Sequence, residues 1–85
     1  GSRTLYYLAL CFMQKSQLDM AVEQLRKAAS EMVTMDDTKK DVLYELGCIL
    51  ESMGKKEEAM ECFKQVYQVD IGYKDIVSKI EQSYA

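Results

Sequence analysis

Apolar residues along the chain recur three and four positions apart, the spacing of one face of an α-helix. Leu5, Leu8, Ala9 and Phe12 form a first set, and Leu18, Ala21, Val22, Leu25, Ala28, Ala29 and Met32 a second. Val42, Leu43, Leu46, Ile49, Leu50 and Met53 form a third. Ala59, Phe63, Val66 and Tyr67 make a fourth, and Tyr73, Ile76, Val77, Ile80 and Tyr84 a fifth. No stretch alternates apolar and polar residues as a strand would, so the pattern predicts an all-α chain with helices over 3–15, 18–34, 38–53, 56–69 and 73–84.

The breaks coincide with residues that end or start helices. Gly54 can take the left-handed conformation that closes a helix. Asp36, Asp37 or Thr38 can cap the helix that follows. Asp19, Glu57 and Glu58 fall in first helical turns, where a carboxylate favours the helix dipole. Connections this short make successive helices antiparallel neighbours.

Shifting the chain by 38 positions superposes it on itself. Leu5, Tyr6, Leu8, Ala21 and Glu23 fall on Leu43, Tyr44, Leu46, Ala59 and Glu61. Ala9 falls on Gly47, Phe12 on Leu50, Ser16 on Gly54 and Leu25 on Phe63. One helix–turn–helix unit therefore occurs twice. The second reads Leu43-x2-Leu46-Gly47-x2-Leu50, then Gly54, Ala59-x3-Phe63 and Val66, and it resembles the tetratricopeptide repeat. The first unit resembles it with Ala9, Ser16 and Leu25 in the slots of Gly47, Gly54 and Phe63. The family period is about 34 residues, so unit one carries roughly one extra helical turn, which the sequence assigns to a longer second helix.

The resemblance implies a right-handed superhelical stack: a repeat over 3–35, a second over 38–72 and a closing helix over 73–85, one domain in all. Small residues at 47 and 59 let paired helices approach, and Phe63 fills the gap beside them. Gly1-Ser2 reads as a remnant of tag removal, which would make the domain part of a longer protein. The apolar face of the first helix, with Tyr7, Leu8 and Cys11, agrees with truncation or with self-association.

Composition narrows the function. Eleven Lys and Arg against 14 Asp and Glu give a net charge of −3, and the Lys39-Lys40 and Lys55-Lys56 pairs sit among carboxylates. Neither a nucleic acid nor an anionic membrane is expected as a partner. With no histidine, a Ser-His or Cys-His nucleophile is excluded, and the isolated glycines form no phosphate loop. The expectation is a protein that is not an enzyme and has no cofactor and no metal site. Cys11, Cys48 and Cys62 are odd in number and widely spaced, which predicts reduced thiols and a cytoplasmic setting. The six methionines sit at core-like spacing.

The resemblance further implies a protein-interaction module whose first helices line a groove for a partner's peptide or helix. Its groove slots fall on Arg3, Tyr6, Leu10, Met13 and Gln14 in unit one. In unit two they fall on Asp41, Tyr44, Cys48, Glu51 and Ser52, with Asp75, Ser78 and Gln82 from the closing helix. Tyr6 and Tyr44 share a slot and are expected as neighbours. The slots of the family's basic clamp for chaperone C-terminal tails hold Tyr6, Leu10 and Cys48, so that clamp is absent. The expected ligand is an apolar or amphipathic segment anchored by Tyr6, Leu10 and Tyr44. The alternative is homo-oligomeric self-assembly within a larger scaffold or regulatory protein.

Overall fold

A computed structural model describes residues 1–14 and 17–82. Five α-helices occur among them, and no strand: α1 (Ser2–Gln14), α2 (Leu18–Glu31), α3 (Asp37–Ser52), α4 (Lys56–Val69) and α5 (Ile76–Gln82). The α1/α2 and α3/α4 pairs form hairpins, α2 packs on α3, and α5 packs on α4. The expected turn at Ser16 and the end of the closing helix at Tyr84 lie outside the described residues.

The apolar stripes become the core. Leu25, Leu50, Phe63, Val66, Val42 and Ile76 are its largest fully buried side chains, drawn from four helices. Each such residue contributes about 1.5–3 kcal/mol relative to exposure. No helix alone could bury its stripe, so the stack supplies the stability. Among the described residues no helix is long and apolar enough to cross a membrane.

Gly47 is required by contact. A β-carbon there would lie 2.5 Å from the nearest atom of the Phe63 ring. In unit one the equivalent pair is Ala9 and Leu25, both fully buried. The smaller leucine goes with the larger small residue, so each hairpin keeps its own matched pair. Gly54 answers a different need. Its φ is +81° with open space around it, and its N–H closes the end of α3 on the carbonyl of Glu51 at 3.0 Å.

Asp36 is the cap of α3: its carboxylate accepts the Lys39 backbone N–H at 2.9 Å. The sequence places the extra turn of unit one in its second helix, and the structure corrects this. Helices α2 and α4 both have 14 residues, and the extra residues lie in the 32–36 connection. Met32 turns to extended backbone (φ −90°, ψ 109°), and the Lys39 ammonium donates to its carbonyl at 2.7 Å. The β-branched Val33 and Thr34 then lead into the Asp36 cap.

The closing helix is also shorter than its apolar spacing suggests, starting at Ile76 instead of Tyr73. Asp70 folds the chain first, its carboxylate accepting the Gly72 N–H at 3.1 Å. Lys74 then takes a positive φ of 39°, which no helical residue has.

Candidate protein-binding face

Helical spacing puts Tyr6, Leu10 and Met13 on one side of α1, all half-buried. Arg3 and Gln14, at either end of that stripe, are exposed. On α3, Asp41, Tyr44, Cys48 and Glu51 are half-buried and Ser52 is exposed. Asp75, Ser78 and Gln82 of the closing segment are exposed.

Most of the α3 residues are held by the chain itself. Four polar links tie α3 to the closing segment in step. Lys40 donates to Asp70 at 2.9 Å, Tyr73 to Asp41, Tyr44 to Asp75 at 2.5 Å, and Lys79 to Glu51 at 2.9 Å. Both partners advance along the chain from one link to the next. Segment 70–79 therefore runs alongside α3 in the same direction, laced to it at four heights.

The rings follow the same arrangement. Tyr44 lies 5.9 Å from Phe63 and 5.5 Å from Tyr73, the latter edge-on at 60°. Tyr6 pairs instead with Tyr7, at 6.0 Å and 46°. The neighbour expected at Tyr44 from the shared slot was Tyr6; Tyr73 takes that place. The Lys74 ammonium stands over both rings, 4.9 Å from Tyr44 and 5.4 Å from Tyr73.

The phenols record the local charge. Burial raises the Tyr6 pKa, and the carboxylates of Glu45 and Asp41 raise it further. Burial and the bond to Asp41 push Tyr73 well above the usual phenol range. The bond to Asp75, then burial, does the same for Tyr44. Tyr6 on α1, Asp41 and Glu45 on α3, and Tyr73 thus share one electrostatic neighbourhood. Burial raises the Cys48 thiol as well, which makes it a lining residue with little thiolate at neutral pH. Among the described residues, no group of three or more Cys, Asp or Glu is placed to hold a metal ion.

Sequence reasoning missed Tyr73, Lys74 and Glu45 at this face. A usable signal was present: the family period of about 34 carries Asp41 onto Asp75 and Val42 onto Ile76. It also missed a depression of about 400 Å³ between α2, α3 and α4. Its floor includes Leu43, Leu46 and Cys62, and the Arg26–Glu58 bridge (2.6 Å) joins two of its lining residues.

Helix pairs of one design, each closed by its own small and large residue and stacked on the next through α2 and α3, define a helical-hairpin repeat protein. Residues 41–70 match the tetratricopeptide repeat family model. The whole chain takes the fold of a solved structure titled "Crystal structure of MamA", with a TM-score of 0.83 at 20% identity. The match covers 99% of this chain and 47% of that one, so the chain spans about half its length. No curated protein matches the sequence. A tetratricopeptide repeat implies a protein–protein interaction module.

Proposed function

We propose that the chain, as part of a larger scaffold or regulatory protein, binds an apolar or amphipathic segment of a partner along the face shared by α1 and α3. The observation that carries this reading is the half-open stripe of Tyr6, Leu10 and Met13 on α1. Tyr6 and Met13 lean on the core, and Leu10 between them is half-buried. Leu10 is the natural anchor, with Tyr6 beside it. Tyr44 and Cys48 form the wall, since the Tyr44 hydroxyl is already held by Asp75. Arg3 and Glu51 stand at the two ends. Three free thiols suit a reducing compartment such as the cytoplasm.

Peptides selected by display against the folded chain test the reading. Their binding should shift amide resonances on α1 and α3, and Tyr6→Ala with Leu10→Ala should weaken it about tenfold or more. Selected peptides that map to the α2–α4 depression, and bind the double variant unchanged, would refute it.

A second reading, self-assembly, has its own observation. Leu8 is 42% exposed and Cys11 is exposed, yet their equivalents in unit two, Leu46 and Ile49, are 2% and 4% exposed. The start of the stack thus presents positions that the next unit buries. Light scattering across a ~100-fold range of protein concentration tests this by mass action. A mass that grows with concentration, and stays monomeric in Leu8→Glu, supports it; a constant monomer rejects it.

A further inference from the structure

We propose that two copies of the chain pair through the start of the stack, their α1 helices antiparallel across a two-fold axis, with Tyr7, Leu8, Cys11 and Met20 in the contact. This rests on the self-assembly reading and adds the symmetry and the residues of the contact.

Unit two shows which positions the start of the stack leaves open. Thr4, Leu8 and Cys11 correspond to Val42, Leu46 and Ile49, which are buried in unit two, where the preceding hairpin packs on α3 through α2. The second helix marks the same side. Glu58 of α4 reaches back across the unit boundary to Arg26 of α2 at 2.6 Å. Its equivalent in unit one is Met20, which is 46% exposed. Tyr7, 57% exposed, likewise stands where unit two has Glu45. Two acidic positions of unit two are thus apolar at the start of the stack.

These differences favour a second copy as the occupant. A preceding unit of the same design would set the arginine of slot 26 against Met20, which cannot pair with it. Thr4, Tyr7, Leu8, Cys11 and Met20 carry no charge, so the patch meets its own copy without like-charge repulsion. An isologous contact of this kind sets one patch against itself and closes at two.

Charge also sets the direction. Among the five helices described, α1 alone holds no carboxylate, and its one charged residue is Arg3, in the first turn. A cation there opposes the dipole of its own helix. Antiparallel pairing brings it toward the C-terminal end of the other α1, where a cation is favoured. Parallel pairing would set the two Arg3 side chains together. Thr4, Tyr7, Cys11 and Gln14 are all exposed and recur three and four apart, the spacing of a helix–helix seam. With the axis at the level of Ala9, Tyr7 of one copy lies across from Cys11 of the other. Helix α1 has 13 residues and is about 20 Å long. A contact along one such helix falls below the ~1,200 Å² of a standard interface, so the dimer is weak and parts on dilution.

Sedimentation equilibrium from ~10 μM to ~1 mM, with amide shifts followed over the same range, tests the contact. The mass should rise and level off at two chains, with shifts on α1 and the first turn of α2. Tyr7→Glu and Met20→Glu should each weaken association about tenfold or more, with thermal melts close to the parent's because both side chains are exposed. Val77→Glu, at an exposed position on α5, should leave association unchanged.

Growth beyond two chains, or loss of association in Val77→Glu, would overturn the two-fold contact and leave self-assembly standing as a head-to-tail arrangement. A dimer with shifts away from α1, unaltered by Tyr7→Glu and Met20→Glu, would also overturn the contact alone. A constant monomer across the range would overturn both.

Discussion

The ring of Phe63 stands where a β-carbon of residue 47 would be, 2.5 Å from its ideal position. Unit one holds Ala9 and Leu25 at the equivalent positions, both fully buried. Gly47→Ala should therefore destabilise the fold by about 1–2 kcal/mol, overpacking outweighing the helix propensity gained. Gly47→Ala with Phe63→Leu should recover most of the loss. Urea melts of the two single variants and the double variant decide it; additive losses would show that the two sites are not a packed pair.

Alkaline pH should loosen the closing segment first. The pKa values of Tyr44 and Tyr73 are raised on folding, so their contribution is complete below the ordinary phenol value of about 10. It is lost as pH rises toward the raised values. Lys40 and Lys79 are also raised, chiefly by hydrogen bonds to Asp70 and Glu51, and act in the same sense at high pH. At neutral pH, Tyr73→Phe should cost about 1 kcal/mol for its hydrogen bond. The gap between the variant and the parent should narrow above pH ~10. Parallel melts from pH 7 upward measure it, and a constant gap would contradict the arrangement.

The cysteines should react in the order of their exposure. Cys11 is exposed, Cys48 is half-buried with a raised pKa, and burial pushes the Cys62 thiol up to about 11. Alkylation of the native chain followed by peptide mass mapping should label Cys11 first and Cys62 last. In denaturant the three should react alike. Native labelling of Cys62 as fast as Cys11 would mean that α4 does not pack as described.

Asp36→Ala should lower stability by about 1 kcal/mol through loss of the α3 cap. Asp36→Asn, which can still accept the Lys39 N–H, should be nearly silent in the same thermal melt. An equal loss in both would point to charge instead of capping.

The helices were legible because their apolar residues repeat at helical spacing, and the repeat was legible because identical residues recur 38 positions apart. Gly47 and Phe63 could be read as a close crossing from their slots alone. The two helix ends that differ lie where side chains make contacts outside the helix. Met32 and Tyr73 are both apolar and in register, so spacing extends a helix through each. The Met32 carbonyl accepts the Lys39 ammonium, and Tyr73, between the Asp70 turn and the positive φ of Lys74, packs on Tyr44. At the candidate face, the stripe on α1 followed from helical spacing. The bonds of Tyr44 to Asp75 and of Tyr73 to Asp41 join residues about thirty positions apart, which no local pattern reveals.

The four links along α3 also have a mechanical meaning. Each is a surface or half-buried polar bond, individually weak against solvent, and they lie one after another along the same direction. A pull on the far end of α5 would load Lys79–Glu51 first, then Tyr44–Asp75, then Tyr73–Asp41, and Lys40–Asp70 last. The polar links would open one rung at a time, and the burial of Ile76 among the hairpins would remain the segment's chief hold on the core. The end of the stack is therefore held in two ways, by a row of polar rungs along α3 and by one apolar side chain, Ile76, set into the core.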